Sequence, residues 1–449
     1  MKNGQTGEIV SIEKRFGRRA REPLADSSAP SISSESRELT VKVTAILARF
    51  SRWLDSYGET SWDHQSFFAG PAGGNAKALY YRYGKIGTFA VAPMILSEAF
   101  LPSARRLFHH PIRFPIADAH YAMGFLFLYE ATGEFNCLEK AVHFLNELKK
   151  SRCPTFKEYS WGYPFNWVTR GGVIKKDTPL ITTTPYVYEA FLQAFKVSQR
   201  EEWKEVLASI ARHARFEIKD FETAPPASSC SYTPFDRRGG VINAAAYRAF
   251  LLLSASQFFS NDDYQKTAER NLNFVLDAQN PDGSWYYAVD GVRDFVDHFH
   301  TCFVMKALGK IYALNGDKRC YEALTRGTKY YLENLFDEEG LPKPFSKAPR
   351  LTVYKRELYD CAECINLGLV LGKEFPILEK TVVRVINEVA ANWLKSDGSF
   401  RSRRLHVGWD NVPMHRWGQS QMFRSLAYYF SEQSAGNFCP VNAGNNGNS

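Results

Sequence analysis

Apolar side chains along this chain fall into two alternating kinds of run. One kind is apolar nearly all round the helical period, as in a helix buried within a larger body. The other has one apolar face and one charged face. Runs of the first kind fit helices over about 118–131, 183–198, 242–259, 298–314, 360–371 and 417–431. Five amphipathic runs follow them, over about 136–150, 201–217, 262–278, 319–335 and 376–394. The breaks between partners are short: Gly133-Glu134, Gln199-Arg200, Asn261-Asp262, Gly316-Asp317 and Gly372-Lys373. Connections this short make the two helices antiparallel neighbours. An earlier amphipathic run, about 38–57, places Leu39, Val43, Ile46, Leu47, Phe50 and Leu54 on one face and supplies a sixth outer helix. A further helix is expected near 87–99, after a loop of Gly and aromatics over about 62–82.

The starts of the inner helices repeat. They fall at Asp118, Thr182, Val241, Asp297, Asp360 and Arg416, every 56–64 residues. A period of this kind marks an array of structural repeats. The sequence therefore predicts an all-α fold, an (α/α)6 toroid of six helical hairpins. Parallel inner helices would bring all six polar starts together at one end of the ring axis. An open solenoid of helix pairs is the alternative. Residues 38–432 form the single toroid domain in this reading, with a disordered tail over 1–37 and a flexible one over 433–449.

Composition refines this picture. The 449 residues are 45% hydrophobic, ample for a large core, and 14% aromatic, with many aromatics in the loops. Net charge is +8, and the first 38 residues hold seven Lys/Arg against six acids, so the excess lies in the folded body. A mildly basic body favours an anionic ligand. It lacks the basic runs of a nucleic-acid binder. The first 30 residues contain no apolar signal core, no run of 18 apolar residues exists, and no amphipathic membrane anchor stands out. Eight scattered cysteines read as reduced thiols, so a cytoplasmic location is expected.

The candidate chemistry sits at the helix starts. Asp297 and His300 lie three apart and share a helical face, beside His298. They suit an acid/base or substrate-orienting pair, and they equally suit a helix cap with a packed histidine. Asp118 and His120 repeat the residue types two apart, so at most one is expected to face the axis. Asp360 and Glu363 share a face and suit glycoside chemistry, or a cap bound to an arginine. Cys361 and Cys364 stand beside them, but the chain lacks a second cysteine pair or a His-x3-His helix, so neither metal nor cofactor is expected. Arg416, Trp417 and Gln419 open the last inner helix, with Arg404 in the basic run 401–404. They are candidates for a carboxylate clamp and a sugar platform, or for loop packing. Trp161, Trp285 and Tyr286, with Tyr163, Trp167 and Tyr232, lie in return loops that would line the mouth. Phosphate loops, nucleophile elbows and dinucleotide fingerprints are absent.

Gln279-Asn280-Pro281-Asp282-Gly283-Ser284-Trp285, echoed at Asp397-Gly398-Ser399-Phe400, resembles the Gln-to-Trp repeat of terpene cyclases, which implies an α/α barrel. Their Asp-rich ionising motif is absent. The stretches Asp297–Phe303, Tyr359–Leu367 and Arg416–Arg424 resemble bacterial exopolysaccharide-biosynthesis proteins of the VpsJ type, over roughly 115–430. That family is related in fold to six-hairpin glycosidases. His300-Thr301, Gly418-Gln419 and Arg424 are similar to segments of glucuronyl C5-epimerases. The resemblance implies a protein of exopolysaccharide biosynthesis or modification. A saccharide, neutral or uronate-containing, would undergo epimerisation, elimination or hydrolysis, and other proteins of the pathway are candidate partners. A non-catalytic polysaccharide-binding scaffold is the alternative.

Overall fold

The structure is a computed structural model, and it describes residues 34–437. The expected tails lie largely outside that range. The first outer helix, α1, is Ser34–Tyr57. Two shorter helices follow, α2 (Pro71–Tyr83) and α3 (Thr88–Phe100), so the segment read as a loop over 62–82 is partly helical. Hairpins then alternate: α4 (Pro115–Thr132) with α5 (Phe135–Lys150), α6 (Thr184–Ser198) with α7 (Glu201–Arg212), and α8 (Ile242–Phe259) with α9 (Asp262–Asp277). They continue with α10 (His298–Asn315) and α11 (Lys318–Asn334), then α12 (Leu358–Leu371) and α13 (Ile377–Glu388), and end with the inner helix α14 (Ser420–Asn437).

The turns follow from local chemistry. Gly133, Gln199, Ser260 and Gly316 take left-handed conformations just past an inner helix, which stops it and frees the next residue to begin the outer one. Asn261 and Asp317 then cap α9 and α11 through their side chains. The sequence places the outer helices α7 and α13 five or six residues too long. Each ends in a wide turn instead, over His213–Glu217 and Val389–Trp393.

The inner helices pack in the order α4, α6, α8, α10, α12, α14, and α14 returns to α4, which closes the ring. Closure is tight: a Cβ on Gly124 of α4 would lie 2.6 Å from the Phe423 ring and 3.4 Å from the Arg424 Cα of α14. Helix α1 lies outside α14 and completes the sixth hairpin. The apolar core fills the space between the two rings, where Phe50 of α1 stacks on Phe423 (5.2 Å) and Phe400 (5.5 Å).

The return loops share a construction. Asp282 and Asp397 each accept hydrogen bonds from the backbone and hydroxyl of the serine two residues on, at 2.9 and 2.7 Å. The glycine between takes φ of 94° and 97°. The Gln279 amide bridges Gly283 and Ala323, joining one hairpin to the next. Short antiparallel strands border the mouth. Tyr354–Glu357, Arg403–Leu405 and Trp409–Asp410 form one sheet, with Glu357 opposite Arg403.

Candidate functional site

Each of the six inner helices sends a polar side chain to the axis. They are His120 (α4), Tyr186 (α6), Tyr247 (α8), Lys306 (α10), Glu363 (α12) and Gln421 with Arg424 (α14), all buried. The His120 ring bonds the Gln421 amide, approaches Arg424 at 3.4 Å and packs 4.6 Å from the Tyr186 ring. The Tyr186 and Tyr247 hydroxyls bond each other at 2.6 Å. Lys306 donates to Glu363 and sits over the Tyr186 and Phe303 rings. Burial, and then the Arg424 cation, hold His120 well below the usual histidine range, so its ring is neutral. One level further along, Lys310 pairs with Glu189, and burial lowers Lys310 to about 8.

Above this layer lies the mouth. Tyr163, Trp167, Tyr232, Tyr287, Phe299 and Trp417 are half-buried around it. Asp297 caps α10 by accepting from the His300 backbone N–H at 2.9 Å. Its other carboxylate oxygen bonds His300 Nδ1 at 2.6 Å. Asp297 is buried, whereas His300 stays 22% exposed, with its ring 4.7 Å from Tyr287. A carboxylate on Nδ1 fixes the tautomer and leaves Nε2 for a ligand. Asp360 is fully buried, and neither carboxyl oxygen has a hydrogen-bond partner. Burial, reinforced by the Glu357 and Asp297 carboxylates, pushes its carboxyl well above the usual range.

The segment 58–113 crosses this end of the ring, and it was not legible as part of the site. Asp63 pairs with Arg416 at 2.7 Å, His64 stacks on Trp417 at 4.0 Å, Glu98 pairs with Arg403, and Arg105 pairs with Asp410. Arg403 also donates to Glu357 at 2.7 Å. Arg416 is fully buried between the rings of Trp417 (3.9 Å), Tyr163 (4.6 Å) and Phe114 (5.1 Å). Its approach to Asp63 is an ion pair without hydrogen-bond alignment, so its side-chain nitrogens have no hydrogen-bond acceptor. Burial and then the surrounding cations, Arg403 first, push His64 well below the usual range. Gly73 and Gly74, which carry no motif, serve packing: a Cβ on Gly73 would lie 1.9 Å from the Phe67 carbonyl oxygen.

The expected residues divide. Asp297, His300, Asp360, Trp417 and Arg416 gather at the mouth, while His120 and Glu363 lie in the axial layer. Asp118 turns to the outer wall, where Arg113 binds it at 2.8 Å alongside Glu59. Trp161 and Trp285 are buried, and their indole N–H groups bond Leu148 and Val275, carbonyls near the ends of the preceding outer helices. They hold hairpins together and do not line the mouth. Gln419 clasps both backbone groups of Phe400. Arg404 lies over Trp409 on the outside of its strand, and Tyr286 stacks under surface Lys347. Their neighbours Arg403 and Tyr287 occupy the inward positions instead. Cys361 and Cys364 are buried thiols, and no group of three or more His, Cys, Asp or Glu suited to a metal occurs among the described residues. Clefts of about 250 and 260 Å3 lie elsewhere, the first beside Leu253 and Arg319, the second beside Lys149 and Arg212.

No family model matches the chain, and no curated protein matches it. Solved structures share the fold. Cellobiose 2-epimerase from Bacillus thermoamylovorans superposes with a TM-score of 0.56 at 11% identity, over 72% of this chain and 88% of that one. An unsaturated glucuronyl hydrolase specific for heparin gives 0.58 at 12% identity, over 89% and 98%. A GH76 α-mannanase from Bacteroides thetaiotaomicron gives 0.51 at 10% identity, over 72% and 86%. The chain is thus an all-α toroid of the kind shared by six-hairpin glycosidases and sugar epimerases. At these identities the likeness concerns the fold.

Proposed function

We propose that this protein is a carbohydrate-active enzyme that transfers a proton at a saccharide carbon next to a carbonyl or carboxylate. The observation that carries the reading is the Asp297–His300 pair, a partly exposed imidazole oriented by a buried carboxylate within a ring of half-buried aromatics. His300 Nε2 withdraws the proton and returns it, and the Asp297 carboxylate stabilises the imidazolium between the two steps. The aromatic rim suits the apolar faces of sugar rings, and Arg416, which lacks an aligned hydrogen-bond acceptor, suits a uronate carboxylate that displaces Asp63. Sugar epimerases and a glucuronyl hydrolase on the same fold support a saccharide substrate. Hydrolysis fits less well, because Glu363 is fully buried and bound to Lys306 below the mouth. The resemblance to VpsJ-type proteins favours a role in exopolysaccharide biosynthesis, in the cytoplasm and beside other proteins of that pathway.

The test is incubation of the purified protein with neutral and uronate-containing oligosaccharides in D2O. Deuterium uptake without bond cleavage, abolished in His300→Gln, is the expected result. Cleavage products would instead establish a hydrolase or lyase. A second reading, a non-catalytic polysaccharide-binding scaffold, draws on the segment 58–113 laid across the mouth. It predicts oligosaccharide binding with no isotope exchange.

A further inference from the structure

We propose that the hairpin formed by α2, α3 and the residues up to Phe108 docks this protein onto an anionic phospholipid bilayer. Ten of the 22 large apolar side chains exposed among the described residues fall between Leu79 and Phe108. They are not scattered. Phe89, Pro93, Leu96 and Phe100 recur at i, i+4, i+7 and i+11, which is one face of α3, and that whole face is open to solvent. Phe89 is 82% exposed, and Ile86 and Leu107 at the two ends of the patch are 76% and 87% exposed. Val91 is the one residue of α3 that is fully packed. Apolar patches of this extent mark interaction sites.

Charge decides between occupants. Residues 71–108 contain five Lys/Arg and one acid. That acid, Glu98, is bound to Arg403, and Arg105 is bound to Asp410. Lys77 is half-buried and donates to Gln65, which leaves Arg82, Lys85 and Arg106 exposed at the edges of the apolar stripe and without an acidic partner. Cations flanking Phe and Leu are the composition of an element that lies in the interface of an anionic membrane. A two-fold contact with a second copy would set these cations against themselves. Helix α3 has 13 residues with Pro93 inside it, and no described helix is long and apolar enough to cross a bilayer, so the element lies on the surface. The same segment carries His64 and Asp63 onto Trp417 and Arg416, so docking would bring the mouth close to the lipid surface. This inference does not depend on the proposed reaction.

Flotation of the full chain with vesicles tests it. We expect co-flotation with vesicles containing phosphatidylglycerol and not with pure phosphatidylcholine, weakened by high salt. The triple substitution Phe89→Asp, Leu96→Asp, Phe100→Asp should leave the protein unbound with an unchanged thermal transition. The pair Arg82→Glu, Lys85→Glu, which replaces no apolar side chain, should weaken binding by about tenfold or more. Failure of the wild type to float, or flotation of both variants like the wild type, would overturn the proposal. A dimer in light scattering that the triple substitution dissociates would overturn it in favour of an interface between copies.

Discussion

Two inner helices begin with an aspartate and a histidine, and they use them in opposite ways. In α10 the residues are three apart, and Asp297 both caps the helix and holds the His300 ring. In α4 they are two apart, so Asp118 leaves through the outer wall to Arg113 while His120 enters the axial layer. One residue of spacing separates an oriented, partly exposed imidazole from an enclosed one. Composition at a helix start therefore says little until the helical angle between the residues is counted.

The largest effect that would sharpen this contrast is on turnover. His300→Gln should lower the proposed activity by about 10²–10⁴-fold, and urea unfolding should move little, because the ring is partly solvated. His120→Gln with comparable loss of turnover and unchanged stability would erase the distinction. The Asp118 carboxyl comes next. Burial outweighs the Arg113 guanidinium and pushes it up to about 7. The folded state therefore binds its proton more tightly than the unfolded chain does, and the wild type should lose stability as pH rises from about 4 to 7. Asp118→Asn should flatten that slope, by up to about 4 kcal/mol, in unfolding curves measured across the window. An unchanged slope would show that Arg113 keeps the carboxylate charged.

Smaller effects separate capping from chemistry. His120→Phe should cost about 1–3 kcal/mol in urea unfolding, since it strands the buried Gln421 amide. Asp297→Ala should cost about 1 kcal/mol through the lost cap. Asp297→Asn keeps a competent cap, so it should be close to neutral in stability and still depress turnover. If Asp297→Asn preserved both, Asp297 would be a cap alone.

The ring was legible because two features repeat: the alternation of all-apolar and one-faced helices, and the two-residue turns between them. The site was legible by loop and less so by residue. Arg404 and Tyr286 were expected at the mouth, where Arg403 and Tyr287 stand. In an extended segment successive side chains point to opposite faces, and composition does not reveal which face looks inward. Gln419 and Gln421 differ in the same way: a wide turn over His415–Gln419, with Trp417 outside helical geometry, shifts the register of the helix start. Lys306 carries no signal in the sequence, because a lysine in an apolar helix has no partner nearby in the chain; Glu363 lies 57 residues on. The segment 58–113 belongs to no repeat, so periodicity gave it no position.

Ring closure sets a schedule for synthesis. His120 and its partner Gln421 lie 301 residues apart in the chain. At typical translation rates of roughly 5–20 residues per second, the axial face of α4 waits about 15–60 s for α14 to emerge. Over that interval the array grows from one hairpin to five, an incomplete cylinder with the Phe125 and Gly124 edge uncovered. Nascent chains of this protein should therefore lean on a holding chaperone until the sixth inner helix arrives, and slow codons late in its message should raise aggregation more than slow codons early in it.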